Sequence, residues 1–356
     1  MQDRSPRVRR CLLALLALSA TLVQPARSET PRQEPTPATM KAVRMHGPGG
    51  TEVLRYEDVP RPVPKDTEVL VRVIAAGVNP VDAKVRGGGF GRRGKDAPPL
   101  ILGWDVAGVV ESAGAKAGKF GKGDAVFAFL PLMAGGGYAE FVAIDESIVV
   151  AKPKSLSFSE AAGVPLAALT AWQALLDAGG LKEGQTVLVH GGSGGVGAFA
   201  VQIAKAKGAK VLASASTAHQ RFLKELGADV PIDYATQEFE DVAKNAGGVD
   251  VVLDTQGGDT QKRSFEVLKK GGSLVSIVGG PDQNLAREKG IHATGILVKP
   301  DAGELAQIAA LIDAGKIKVT ISQVVPLADA AKAHQQIETG HTKGKIVLKV
   351  AEEPGR

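Results

Sequence analysis

The sequence predicts an α/β protein in two parts: a mostly β domain, then a parallel, doubly wound sheet with helices on both faces. Three observations carry this. From Met40 to about Val150, short β-type runs are broken by Gly and Pro, the spacing of a compact β domain. From Ser157 the period turns helical, and apolar strands of four to six residues then alternate with helices, as in a parallel sheet buried on both sides. Between the first of these strands and its helix stand five glycines in seven residues, Gly191 to Gly197. Glycine costs stability in any regular element, so something must come close to that backbone.

The chain opens on a basic stretch, Arg4 to Arg10, followed by the apolar run "CLLALLALSATLV" and then Ala26 and Ser28. This is the pattern of a signal peptide over residues 1–28, with small residues where a signal peptidase cuts. The thirteen residues from Cys11 to Val23 are too few to span a bilayer, which needs roughly 20, so no stable membrane insertion is expected. Arg9-Arg10 before Cys11-Leu12-Leu13 resembles a twin-arginine signal, with ordinary secretion as the alternative. The expected location is the periplasm or the exterior, unless translation starts at Met40 and leaves the protein in the cytoplasm. Five arginines against Asp3 place +4 of the formal charge of +5 in residues 1–28 and leave +1 for the rest. That balance argues against a nucleic-acid partner. Cys11 is the only cysteine, so the mature chain has neither disulfides nor thiolate metal sites.

Residues 29–39, "ETPRQEPTPAT", read as a linker. Then come the β runs "EVLVRVIAAGV", "WDVAGVVESAG", "DAVFAFL", "YAEFVAI" and "SIVVAKP". A helical stretch follows over 157–179. Strand "TVLVHG" leads to helix "AFAVQIAKAKG", "KVLASAS" to "AHQRFLKELGA", and "VDVVLDT" to a helix over 260–271, "TQKRSFEVLKKG". Strand "GSLVSIVG", two more helices, "AGELAQIAALIDAG" and "LADAAKAHQQIETG", and a last strand, "KGKIVLKV", complete the pattern.

Gly192-Ser193-Gly194-Gly195-Val196-Gly197 satisfies G-x-G-x-x-G, follows a strand and opens a helix. In that setting one glycine makes the turn, one admits a pyrophosphate, and one lets helix and strand pack closely. The helix N-terminus offers free N–H groups to the phosphates. A dinucleotide is therefore expected. A carboxylate should end the second strand if a ribose 2′-hydroxyl is bound, but the chain there reads Ser214-Ala215-Ser216-Thr217, and the next acid is Glu225. Hydroxyls with His219 and Arg221 nearby suit a 2′-phosphate, which selects NADPH. Arg221 alternatively lies on a solvated helix face.

A catalytic zinc needs three Cys, His or carboxylate ligands. The six histidines, at 46, 190, 219, 292, 334 and 341, are scattered without ligand spacing, so no metal is expected. The stretches "AAGVNPVDAKVRGG", "PLILGWDVAGVV", "AALTAWQAL", "VLVHGGSGGVG", "VDVVLDTQGGDT" and "GHTKGKIVLKV" run in order over most of the chain from Met40. Together they resemble the zinc-independent medium-chain dehydrogenase/reductases, the quinone oxidoreductases similar to zeta-crystallin. The resemblance implies a GroES-like catalytic domain over 40–165, a Rossmann NADP-binding domain over 166–299 and a C-terminal return to the catalytic domain over 300–356. It implies that Asn79 and Thr170 contact the nicotinamide, and that Ser193, Gly194, Gly195, Val196 and Gly197 hold the pyrophosphate. Ser216 and Tyr234 would surround the 2′-phosphate, with His219 where a lysine is often found. Lys345 would close over the cofactor, and a homodimer is the family expectation. Where some relatives carry a tyrosine after the N-P-x-D motif, this chain has Lys84.

The expected reaction is hydride transfer from NADPH to a quinone or an α,β-unsaturated carbonyl, with the protein supplying orientation and a dry cleft. The oxygen that gains charge needs a hydrogen-bond donor, for which Asn79 and Lys84 are the candidates. Asn79 alternatively serves only as a turn residue before Pro80. For Asp82 a helix cap, or an ion pair with Lys84 or Arg86, is expected. His190 reads as structural. Trp104 and Phe90 either line an acceptor pocket or pack in the core. Two other readings remain: an enoyl-thioester reductase, with Arg86, Arg92, Arg93 and Lys95 forming a basic pocket, and a dinucleotide-binding protein without turnover.

Overall fold

The computed structural model describes residues 38–89 and 99–354. The predicted signal peptide, most of the linker, and Phe90, Arg92, Arg93 and Lys95 lie outside the described residues. Among the described residues no helix is long and apolar enough to cross a membrane.

The first part is built from β1 (Thr39–Met45), β2 (Leu54–Pro60), β3 (Glu68–Val78), the short helix α1 (Pro80–Arg86), β4 (Leu100–Ile101), β5 (Asp105–Ala113), β6 (Ala125–Phe129), β7 (Phe141–Asp145) and β8 (Val149–Ala151). β2, β1 and β4 form a small antiparallel sheet, and β3, β5, β6 and β8 form most of a larger one. The five predicted β runs all appear, because Val, Ile and Phe at alternate positions give each strand a face to bury.

The expected helix over 157–179 is in fact broken. α2 (Phe158–Ala162) is capped by Ser157, whose side chain accepts the Glu160 N–H. Gly163 ends it, and Pro165 starts α3 (Pro165–Trp172) at a position where its missing N–H costs nothing.

The second sheet is parallel and six-stranded: β9 (Thr186–Val189), β10 (Lys210–Ala215), β11 (Val230–Asp233), β12 (Val249–Asp254), β13 (Leu268–Ser276) and β14 (His292–Gly295). Its order is β11-β10-β9-β12-β13-β14, the doubly wound arrangement whose strand order reverses beside β9. Helices α4 (Gly195–Ala206), α5 (Gln220–Glu225), α6 (Phe239–Asn245), α7 (Gly258–Ser264) and α8 (Gln283–Lys289) connect the strands. Period-two alternation feeds both faces. Val187, Val189, Val211, Ala213, Val251 and Leu253 pack into one core, and Leu188, Leu212, Val252 and Leu274 into the other.

Two sequence expectations need correction here. The sheet has six strands instead of four, and the two extra ones, β11 and β14, are its edges. They are short, β14 has two polar residues among its four, and β11 carries a proline, which an edge tolerates. The helix expected over 260–271 stops at Ser264, and β13 begins at Leu268. Phe265, Val267 and Leu274 are buried in the core under the sheet, so tertiary packing overrides the helix propensity of "FEVLKK".

After α9 (Ala302–Asp313) come β15 (Ile321–Pro326), α10 (Ala330–Glu338) and β16 (Lys345–Lys349). β16 pairs with β15 and, antiparallel, with β3, placing Ile346 opposite Val78. The chain thus returns to the first sheet beside the start of α1.

His190, just past β9, is structural as expected. Ser264 Oγ donates to the Thr260 carbonyl at 2.7 Å, so it accepts from His190 Nε2 at 2.9 Å, and His190 Nδ1 lies 3.2 Å from Ser214 Oγ. Burial pushes its pKa down to about 4 from 6.5. The unfolded chain therefore binds a proton that the folded one refuses as pH falls through this window. Stability present above pH 6.5 is lost toward pH 4, at about 1.4 kcal/mol per pH unit for this residue. Urea titrations of wild type and His190→Gln at neutral and at mildly acid pH check this. The stability gap between them is expected to narrow on acidification, and an unchanged gap would exclude a neutral His190.

Candidate active site

The turn after β9 distributes its glycines unequally. Gly191 adopts φ +63°, a left-handed conformation. A Cβ on Gly197 would sit 2.2 Å from the Gly191 carbonyl oxygen, and one on Gly192 would sit 2.9 Å from Leu223 and 3.0 Å from Ala213. These two positions pack protein against protein. A Cβ on Gly194 would meet only the Gly191 oxygen, at 3.4 Å, so that position opens away from the protein. Gly194 is the N-cap of α4, which begins at Gly195, three residues before the expected start at Ala198. Its 12 residues give a helix long enough to present unpaired N–H groups and a partial positive charge.

In front of this turn lies a cavity of about 440 Å³, within the usual size of a small-molecule site. All twelve predicted site residues line it: Asn79, Lys84, Thr170, Ser193, Gly194, Gly195, Val196, Gly197, Ser216, His219, Tyr234 and Lys345. It stands outside the carboxyl ends of the parallel strands, where the strand order reverses. Ser216 and Tyr234 follow β10 and β11 on one side of β9. Thr255, Val278 and Leu297 follow β12, β13 and β14 on the other.

Behind the cavity wall is a buried polar cluster. Asn79 precedes α1, its Nδ2 donates to Asp105 Oδ2 at 2.9 Å, and its Oδ1 accepts from the Lys345 ammonium. Lys345 also donates to the Val78 carbonyl at 3.1 Å and lies 3.5 Å from Asp105 Oδ2, while Asp105 Oδ1 accepts the Leu166 N–H at 2.6 Å. Burial pushes the Asp105 pKa up and the Lys345 pKa down; the attraction between the two opposes both shifts. The Lys345 stem runs past Gly195, with Cδ 3.1 Å from where a Cβ would be. Its ammonium is turned toward Asn79 and Asp105.

Asp82 caps α1 as expected, accepting the Asn79 N–H at 2.6 Å, and also accepts the Tyr138 hydroxyl at 2.8 Å. Burial raises its pKa to about 7. Arg86 pairs with Glu338 and lies 3.3 Å from His334 Nδ1. Trp104 belongs to the core, and its indole N–H donates to the carbonyl of Leu132, a cavity residue. Thr170 Oγ1 donates to the Leu166 carbonyl at 2.7 Å.

At the other end, His219 Nδ1 is 3.1 Å from Ser193 Oγ and 3.5 Å from Ser216 Oγ. Arg221 does not line the cavity. Its side chain is 92% exposed and pairs with Glu225 at 2.8 Å. Sequence reasoning missed a second cation near His219, Lys343, which does not line the cavity either. Lys343 lies 5.0 Å from the Phe222 ring centroid, and its charge adds to burial in lowering the His219 pKa. Also missed were Gln256, Ile277, Ile296 and, from the turn between Gly340 and Gly344, Gly340, His341, Thr342 and Gly344. That turn is tied to the glycine loop by the Gly344 N–H, which donates to the Ser193 carbonyl at 2.9 Å. Thr342 Oγ1, buried in this wall, has no hydrogen-bond partner.

Comparison with known proteins agrees with this geometry. A family model described as alcohol dehydrogenase GroES-like domain matches residues 65–154, and one described as zinc-binding dehydrogenase matches residues 226–348. The 2-methylene-furan-3-one reductase of Solanum lycopersicum is 36% identical over 337 residues, covering 91% of this chain and 83% of that protein. The chain belongs to the medium-chain dehydrogenase/reductase family. Within this family, the mitochondrial NAD(P)H oxidoreductase RTN4IP1 of Danio rerio is 35% identical over 327 residues, covering 80% of this chain and 84% of its own. The solved quinone oxidoreductase from Coxiella burnetii superposes with a TM-score of 0.81 at 35% identity, covering 88% of this chain and 99% of that one. This medium-chain reductase is thus an NAD(P)H-dependent oxidoreductase with a GroES-like domain and a Rossmann-type sheet.

Proposed function

We propose that this reductase uses NADPH, without zinc, to reduce a quinone or an α,β-unsaturated carbonyl. The observation that carries the reading is one continuous cavity running from the open face of Gly194 to Asn79 and Lys84. The residues fit a dinucleotide. Gly194 leaves room for a diphosphate at a helix N-terminus, and the orphaned Thr342 Oγ1 belongs to the turn that is tied to this loop. Bound NADPH supplies the hydride.

The chain's own residues do the rest. Ser193, Gly194, Gly195, Val196 and Gly197 hold the diphosphate, and Asn79 and Thr170 orient the nicotinamide. Asn79 is already engaged by Asp105 and Lys345, which fixes its rotamer. Lys84, exposed at the cavity edge, is the better placed of the two donors for the substrate oxygen that gains charge. Neither Asn79 nor Trp104 is a zinc-ligating residue type, and the Asp105 carboxylate is occupied by Lys345, Asn79 and Leu166.

The 2′-phosphate reading rests on Ser216, His219 and Tyr234 in the cavity wall, with the Lys343 charge close enough to lower the His219 pKa. Lys343→Glu is expected to weaken NADPH binding at least about tenfold while leaving NADH binding within twofold, as a charge-assisted contact predicts. Calorimetry with both nucleotides measures this, and an equal loss for both would remove Lys343 from cofactor selection. A panel of quinones and enones assayed with NADPH and NADH in parallel tests the reaction itself. The enoyl-thioester reading is weakened because Arg86 is buried and committed to Glu338 and His334. Export by residues 1–28 and assembly as a homodimer complete the proposal; sequencing the mature N-terminus tests the first and sedimentation the second.

A further inference from the structure

One oxygen of Asp82 carries two bonds and the other carries none. Oδ2 takes the Asn79 N–H and the Tyr138 hydroxyl, while the buried Oδ1 has no hydrogen-bond partner. Asp82, Tyr138 and His334 are all fully buried. The Tyr138 ring stands edge-on to His334, 5.9 Å between centroids, and is pressed on Gly103, where a Cβ would lie 2.3 Å from it. His334 Nδ1 is 3.3 Å from the Arg86 guanidinium, and Nε2 is 3.4 Å from the Tyr138 oxygen.

A guanidinium only donates, so His334 Nδ1 accepts and the ring proton sits on Nε2. Nε2–H then points at the Tyr138 oxygen, which leaves the phenol proton for Asp82. Every bond runs one way, from Arg86 through His334 and Tyr138 to Asp82, and the Asn79 N–H arrives from the other side. Glu338 anchors Arg86 at the head of this relay. Asp82, at its end, is the member with room for a proton. That proton goes to the bare Oδ1, weakens both bonds at Oδ2 and leaves a buried O–H without an acceptor.

We propose that Tyr138, oriented by His334, is a positioning residue for hydride transfer: it holds Asp82 as a carboxylate gripping the Asn79 N–H, and Asn79 is set for the nicotinamide only while Asp82 is charged. The inference rests on the reductase reading and adds what sets Asn79. Burial, with the Asp105 charge, raises the Asp82 pKa to about 7 against the pull of Asn79, Tyr138 and Lys345. Burial and Arg86 hold His334 neutral, its pKa pushed down to about 4, and burial and Asp82 push the Tyr138 pKa up. The hydride-transfer rate is therefore high in mild alkali and lost as pH falls through the Asp82 pKa.

The chain has three asparagines, Asn79, Asn245 and Asn284, so asparagine labelled with heavy nitrogen reports the Asn79 amide directly by NMR. That amide is expected to titrate near neutrality. Single-turnover oxidation of bound NADPH by duroquinone or methyl vinyl ketone is expected to fall at least about fivefold into mild acid, with the same midpoint. Tyr138→Phe keeps the ring and removes the donor, so both midpoints are expected to rise by at least about 0.5 in pH. Asp82→Asn is expected to abolish both titrations and to stay slow throughout. An Asn79 amide that does not titrate, a midpoint untouched by Tyr138→Phe, or a flat rate beside a titrating amide overturns the positioning role while the reductase reading stands. If neither acceptor is reduced at any pH, both fall together.

Discussion

Gly197→Ala is expected to abolish nucleotide binding and to destabilise the fold, whereas Gly194→Ala is expected to lose affinity alone. The two glycines stand three residues apart in the same motif, but their surroundings differ. A methyl group on Gly197 would press 2.2 Å from the Gly191 oxygen and 2.7 Å from the Gly192 Cα. Both are backbone atoms that cannot rotate aside, so the turn must move off the helix. Overpacking of this kind costs about 1–3 kcal/mol. At Gly194 the nearest atom is 3.4 Å away and the backbone, φ −76° and ψ 178°, suits any residue. Stability there is expected to hold or to rise by about 0.4–1 kcal/mol through a stiffer unfolded chain. The new methyl group would instead occupy the space reserved for the diphosphate, raising the NADPH Kd at least about tenfold. Urea unfolding and calorimetry on both variants check the pair. If Gly194→Ala binds NADPH as wild type does, the diphosphate lies elsewhere.

Lys345→Met is expected to be among the most damaging substitutions outside that turn. It leaves the Asp105 carboxylate buried with only the Asn79 and Leu166 N–H groups as partners. Removing one member of a buried pair costs about 3–5 kcal/mol. Adding Asp105→Asn removes the stranded charge, so the double variant is expected to recover more than half of the lost stability. The Asn79 side chain loses one of its two anchors in either case, and NADPH turnover is expected to stay low even where stability returns. A double-mutant cycle in urea measures the coupling; additive effects would mean that the two charges do not interact.

The site was legible in the sequence where a local pattern maps directly onto geometry. The glycine turn needs only its neighbours, and N-P-V-D fixes Asn79 as the residue before α1 through the Asp82 cap. The strands that failed to declare themselves are the sheet's edges. β11 is only four residues long and interrupted by a proline, and β14 buries none of its four, so His292 to Gly295 carries no apolar run. The helix read across Phe265 to Lys270 shows the opposite failure, a strong local propensity overruled by two buried side chains. Lys343 escaped because its meaning depends on Phe222 and His219, more than a hundred residues away. No spacing rule connects them until β16 has joined β3.

That join has a bearing on how the protein is made. The ribosome delivers Asp105 long before Lys345, which stands 240 positions later, and at about 5–20 residues per second that amounts to roughly 10–50 seconds. For that interval the newborn first domain holds an acid in its interior with no counter-ion. It has to keep the carboxylate protonated or leave that corner of the sheet open to water. The nascent chain therefore cannot finish its earliest domain first, and the two halves of the enzyme mature together.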